Sequence, residues 1–407
     1  MNTLQGPGHK TGQIELWFLT YLLLGIAVYG LSVILMPSVV AAAGHRPFRI
    51  GAVVALQNAG LLIAPGVGLW MDRFERHRLV LMSGCLMIAL GFLGLYSVTS
   101  LTALLFSAFC IGLGTAAATT ATMVFTIAER SSQDWSGRIG YVQLFNSIGT
   151  TIGFGLAGWL SLRAATMAGI VAAVAAAGVT RFTLPARVCR SATANPEPST
   201  QPDTEAYQGF PGDLPRLLVG WFILGFGISC FSSPYPVIMR RVFDIGIRSS
   251  SSVLSVATLV GLPLYAISGM MVIHLGSLRV LVIGTVCRFA SLTTLSLIAL
   301  SNLEKGKGVV LLIAVGIFQA SWPLISVSVS DQLFRASSCG RGFAVGLLTF
   351  VGAAASASGA IIGGVIAGHV GYRGVIYVAA IILLLAVSEI LSRNAKQRTR
   401  GPDRIPA

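Results

Sequence analysis

Stretches of about 20 apolar residues recur along the whole chain, each long enough to cross a hydrocarbon layer of about 30 Å as a helix. Twelve are read, at 15–37, 50–71, 79–98, 101–127, 138–161, 164–184, 215–238, 250–273, 279–300, 308–330, 342–368 and 373–392. In lipid every backbone N–H and C=O must find a partner within the segment, so each stretch is expected to be helical. The stretches are continuously apolar rather than alternating, which excludes a β-barrel. Composition agrees: of 407 residues 54% are hydrophobic and 10% charged, against about 25% charged in a soluble domain. The expected fold class is an all-α polytopic membrane protein with twelve transmembrane helices. Pro65, Pro234, Pro236 and Pro323 fall inside these spans and mark kinks or close packing.

One segment reads as a linker. Residues 186–214 are polar, acidic and Pro-rich and cannot bury enough apolar area to fold alone. The linker divides the chain into an N-terminal six-helix bundle, 1–185, and a C-terminal six-helix bundle with a basic tail, 215–407. The halves resemble each other. Ser136-Gly137-Arg138 opens the fifth span and Cys339-Gly340-Arg341 the eleventh, and Gly149 and Gly352 each follow 12 residues after the glycine of those triplets. The Gly68–Arg78 loop has a worn counterpart at Gly269–Arg279. Two pseudo-symmetric bundles with a cavity between them are the architecture expected of secondary transporters.

The formal charge is 28 − 14 = +14. The basic residues lie in short loops, where they set topology, and neither a basic helix nor a basic-aromatic patch points to nucleic acid. Loops and ends on one side carry Lys10, Arg73, Arg76, Arg78, Arg130, Arg138, Arg181, Arg187, Arg190, Arg216, Arg279, Arg335, Arg341, Arg393, Lys396, Arg398, Arg400 and Arg404, which is 18. The other side carries nine: Arg46, Arg49, Arg163, Arg240, Arg241, Arg248, Lys305, Lys307 and Arg373. That excess places both termini and the linker in the cytoplasm, in the cytoplasmic (inner) membrane. The six cysteines, Cys85, Cys110, Cys189, Cys230, Cys287 and Cys339, are scattered without a CxxC, so neither a disulfide framework nor a metal site is expected. No cofactor motif, P-loop or nucleophile elbow is present, which argues against an enzyme and against internal ATP drive.

The sharpest motif is Gly68-Leu69-Trp70-Met71-Asp72-Arg73-Phe74-Glu75-Arg76-His77-Arg78. It resembles the Gly-xxx-Asp-Arg-x-Gly-Arg-Arg loop between the second and third helices of the major facilitator superfamily, matching at Gly68, Asp72, Arg73 and Arg76, with Glu75 in place of Gly. The resemblance implies that the second helix packs against the eleventh. There a carboxylate at Asp72 would meet the positive N-terminus near Arg341. Arg73 and Arg76 would pair with Glu129, and Arg138 opens the neighbouring fifth helix, giving a breakable latch between bundles. The alternative is that these charges only stop spans and fix topology, the reading favoured for His77 and Arg78. The fifth span keeps the glycine spacing of the family's antiporter motif at Gly140, Gly149, Gly153 and Gly158, with Phe154 for Pro and Ala157 for Gly. The resemblance implies a helix that seals one bundle against the other, beside the plainer reading of ordinary small-residue packing.

On the family's pattern the cavity is lined by spans 1, 2, 4, 5, 7, 8, 10 and 11. Their candidates are Tyr29, Gln57, Asn58, Thr119, Gln143, Asn146, Phe226, Phe231, Tyr265, Gln319 and Trp322. Amides and aromatics with little charge suit a neutral or cationic amphiphile better than a sugar. Gly112-Leu113-Gly114 is present, but the arginine that often precedes it in exporters is Ala108. Glu15, Glu129, Asp331 and Glu389 fall near span ends, so no span carries the mid-membrane acid that usually moves protons. Arg288 is the one charge deep in a span. Such a residue suggests function, yet the resemblance puts the ninth helix at the periphery, where Arg288 would pair locally, bind lipid or snorkel. The expected function is alternating-access transport of a small organic solute, as proton-coupled efflux by a functional monomer without cofactors. An importer or uniporter of the same fold is the alternative, and a non-transporting receptor or enzyme a distant one.

Overall fold

The computed structural model describes residues 15–74, 76–97, 100–127, 135–184, 213–301, 307–336 and 341–399, with the side chains of Asp72, Arg138 and Arg341 among those outside the description. It contains twelve long helical passages. In the first half these are α1 Phe18–Ala42, α2 Pro47–Met71, α3 His77–Ser97, α4 Leu101–Ile127, α5 Trp135–Trp159 and α6 Leu162–Thr183. In the second half they are α7 Asp213–Ser232, α8 Ile247–Leu275, α9 Ser277–Leu300, α10 Gly308–Leu333, α11 Arg341–His369 and α12 Tyr372–Thr399. Eleven of them are apolar and long enough to cross a membrane on their own; α5 is the exception. Its sequence explains why: Gln143, Asn146, Ser147, Thr150 and Thr151 interrupt the apolar run.

Several bounds differ from those read in sequence. Helix α1 continues to Ala42 and passes through a wide π-helical stretch, Gly25–Ser32. Helix α7 stops at Ser232, and a separate helix, Tyr235–Val242, follows Pro234. Helix α10 breaks at Ser321 into Lys307–Ala320 and Trp322–Ala336. Proline explains both interruptions, since Pro234 and Pro323 cannot donate a helical hydrogen bond. The 186–214 linker lies outside the described residues up to Asp213.

Helices α1–α6 pack around one another, as do α7–α12, and the halves meet chiefly along α2–α11 and α5–α8. Small residues let these crossings close. A methyl group on Gly51 would run into the Ala360 carbonyl, and one on Gly364 would lie 3.0 Å from the Gly51 Cα. On the other crossing, a methyl on Gly158 would meet the Arg248 carbonyl and the Ser251 Cβ at 3.1 Å. The Arg248 guanidinium covers Trp159 at 3.6 Å from its ring centroid. All these contacts lie at one face of the molecule, that of the turns following α1 and α5. Toward the other face, positions 66, 269 and 346 on α2, α8 and α11 have open space where a methyl group would stand. The halves are therefore in close backbone contact at the first face.

Candidate functional site

A cavity of about 220 Å³ lies between the halves, walled by α1, α2, α4, α7 and α11. Three of the residues read from sequence line it: Tyr29, Gln57 and Asn58. Their presentation follows from local geometry. The π-helical stretch of α1 carries Tyr29 and Ser32, and a wide turn of this kind re-aims side chains. Helix α2 is drawn against α4 because Gly60 and Gly112 lack side chains; a methyl on Gly60 would sit 2.6 Å from the Gly112 backbone. This closeness fixes Gln57, whose Nε2 donates to Ser32 Oγ at 2.8 Å. Asn58 Nδ2 donates to the Val54 carbonyl at 2.9 Å, which leaves its oxygen available.

The opposite wall is hydroxylic, a feature that amides and aromatics in the sequence do not mark. Ser229, Ser232, Ser233 and Ser356 line the second-half side, with Thr115 on α4. Ser229 donates to the Ser356 carbonyl at 2.7 Å and lies 3.1 Å from Ser233 Oγ. Among the described residues no acidic or basic side chain borders this cavity. It offers hydrogen bonds on apolar walls, which is the lining of a small-solute site.

The other candidates occupy different positions. Phe231 does not line the cavity: it is 1% exposed and packs edge-on against Tyr235 and Phe318 at 5.9 and 5.1 Å. Its bulk serves the core of the second half. Thr119 returns its hydroxyl to the Thr115 carbonyl at 2.8 Å. Asn146 packs against Gly25 of α1, and Gln143 is half-buried one turn before it. Phe226 stacks on Phe222 at 6.2 Å. Gln319 reaches Thr258 on α8 at 3.4 Å. Tyr265 of α8 is partly buried. Trp322 lies 6.1 Å from Trp221.

Of the three places expected for Arg288, the structure shows local pairing. The residue is 2% exposed, so it neither snorkels nor faces lipid. It turns toward the break in α10, donating Nε–H to Ser321 Oγ at 3.1 Å and covering the rings of Phe318 and Trp322 at 4.4 and 5.2 Å.

The glycines of α5 serve two interfaces. Gly149 and Gly153 close on α1: a methyl on Gly153 would lie 2.8 Å from the Gly30 Cα. Gly158 instead meets α8 of the other half. Gly140 belongs to the helix, its side-chain surroundings lying outside the description. Among the described glycines of the motif, Gly158 faces across the bundles.

At the Gly68–Arg78 loop, a methyl on Gly68 would meet Thr120 of α4 at 3.6 Å. Arg73 lies over Phe74 at 5.8 Å from its centroid, and Arg76 is exposed. Buried His77 meets Phe125 edge-on at 6.3 Å, and Arg78 Nη1 donates to the Leu184 carbonyl at 3.2 Å, tying α3 to α4 and α6. The latch partners Glu129, Arg138 and Arg341, with the Asp72 carboxyl, lie outside the described residues or side chains.

Comparison with known proteins places this geometry. A search of curated protein sequences finds no match. Among solved structures, the nucleoside transporter NupG superimposes with a TM-score of 0.68 at 14% identity, covering 93% of this chain and 96% of that one. A D-xylose-proton symporter gives 0.72 at 13%, covering 92% and 95%. The human organic anion transporter MFSD10 gives 0.64 at 16%, covering 92% and 98%. At such identities these likenesses show the fold. The family model of the Major Facilitator Superfamily matches residues 17–338 and 217–404. With twelve helices in two facing sets and a cavity between them, the chain is a member of the major facilitator superfamily, a multi-pass membrane transporter rather than an enzyme.

Proposed function

We propose that this protein carries a small organic solute across the cytoplasmic membrane by alternating access, with both termini and the 186–214 linker in the cytoplasm. The observation that carries the reading is the central cavity, lined by both halves and sealed at one face by the α2–α11 and α5–α8 crossings. The Lys and Arg excess makes the sealed face external, so the conformation is inward-open. Rocking one half against the other would break those crossings and close the cytoplasmic ends, where the latch residues Gly68, Asp72, Arg73, Arg76, Glu129, Arg138 and Arg341 lie.

We infer export as the direction. Exchange for protons is one form, supported by the retained glycine spacing of α5. Uniport is the second, favoured because no carboxylate borders the cavity among the described residues. Purified protein in proteoliposomes decides between them. Compounds that differ between deletion and overexpressing cells are added while internal pH is followed by an entrapped dye. Solute flux with a matching pH change is the antiport result, and flux without one is the uniport result. No flux for any such compound would overturn the transport reading.

A further inference from the structure

Arg288 is the twelfth of the 24 residues of α9, about 17 Å from either end at 1.5 Å per residue. A lipid phosphate cannot reach that depth, and an arginine held there without a counter-charge is costly. Its guanidinium offers five N–H donors. Among the described residues, Nε–H goes to Ser321 and no hydrogen bond or carboxylate meets Nη1 or Nη2. The rings of Phe318 and Trp322 supply only their faces. Beside it α10 turns at Ser321, where backbone bonds from the Ser321 N–H to the Ile317 carbonyl and from the Ile325 N–H to the Ser321 carbonyl carry the helix across. A full cation thus stands at mid-depth without an anion among the described residues. Tyr265 of α8 is within electrostatic range of the guanidinium.

We propose that Arg288 is the seat for the negative group of the transported solute, its Nε–H anchored on Ser321 and its guanidinium walled by Trp322, so that the substrate is a small organic anion bearing a carboxylate. This rests on the transport reading above, sets the seat outside the lining of the 220 Å³ cavity, and replaces the neutral or cationic solute expected from the cavity amides. It also supplies a direction without a proton carrier. Arg288 stays with the protein, so each turnover moves one net negative charge. A cytoplasm-negative potential of 100 mV then favours the anion outside by about 50-fold.

The test uses the purified full-length chain in detergent. Thermal unfolding is followed by tryptophan fluorescence with a panel of aliphatic and aromatic monocarboxylates, each beside its neutral amide at equal ionic strength. At least one carboxylate should raise the unfolding temperature of the wild type, and its amide should not. Arg288→Gln should bind that carboxylate at least about 30-fold more weakly, and Arg288→Lys less weakly than Arg288→Gln. If Arg288→Gln does not fold, Ser321→Ala and Trp322→Ala keep the cation and should each weaken binding several-fold. Equal response to acid and amide, no response of the wild type to any carboxylate, or unchanged binding in the variants would each overturn the assignment. Flux is measured separately in proteoliposomes under a valinomycin-imposed potassium potential. Potential-driven carboxylate flux supports the assignment. Flux confined to uncharged compounds sinks it while leaving a transporter, whereas no flux of any solute sinks the transport reading itself.

Discussion

Replacing Gly51 with alanine tests whether the sealed face belongs to one of two interconverting states. The added methyl would fall on the Ala360 carbonyl, on the crossing of α2 and α11. Both partners are backbone, so no side chain can turn aside, and the helices must separate by about 1 Å to restore ordinary contact. Overpacking of this kind costs about 1–3 kcal/mol. The cost is confined to the sealed state, because parting the halves relieves it, while the gain in helix propensity from Gly to Ala is common to both states. The sealed-to-parted ratio should therefore fall about 5- to 150-fold. Gly364→Ala is a milder version, its methyl meeting the Gly51 Cα at 3.0 Å. Gly346→Ala is the control, with open space around it in this conformation. Spin labels at the exposed positions Arg163 and Arg373, at the starts of α6 and α12, report the separation by pulsed dipolar spectroscopy. The long-distance population should rise in the order Gly346→Ala, Gly364→Ala, Gly51→Ala. An unchanged distribution in Gly51→Ala, with the protein folded, would refute the idea that this crossing opens during the cycle.

Three further outcomes are expected. Trp159→Ala removes the ring beneath Arg248 and should weaken the external seal by about 0.5–1 kcal/mol, read as faster external labelling of a cysteine placed in the cavity; Trp159→Phe should restore most of the protection. Gln57→Ala deletes the bond to Ser32 and should lower stability by about 1 kcal/mol, read as a lower unfolding temperature, and raise the KM for transport because Gln57 lines the cavity; an unchanged KM would remove Gln57 from the site. Asp72→Asn should slow transport at least about tenfold if the carboxylate contributes about 1–3 kcal/mol to the latch, with membrane insertion intact; wild-type rates in that variant would remove the latch.

The helices are legible in the sequence because each hydrocarbon crossing demands the same long apolar run, whatever surrounds it. Their interruptions are less so. Pro234 and Pro323 announce kinks, but nothing in sequence distinguishes the local interruption at Ser321 from the break after Ser232, where a separate helix begins at Tyr235. The wide turn of α1 leaves no trace, since Gly25 and Gly30 read equally well as packing residues. In the cavity, Tyr29, Gln57 and Asn58 stand out as polar or aromatic groups in apolar spans. The serines do not, because a membrane serine commonly returns its hydroxyl to its own helix, as Ser328 does to the Leu324 carbonyl. Only tertiary structure separates Ser328 from Ser229. Phe231 misleads because an aromatic on a cavity-lining helix has two sides to choose from. Arg288 misleads because the position of a helix is not the position of its side chains, and an extended arginine on α9 reaches the break in α10.

The polar character of α5 bears on how the chain is made. A helix interrupted by Gln143 and Asn146 partitions into lipid from the insertion machinery less readily than its neighbours. The groove on α1 in which Gly149 and Gly153 settle offsets that deficit. Ribosome-bound nascent chains ending beyond α6 should therefore hold α5 in the membrane more fully when α1 is present, whereas α3 and α4 should enter without it.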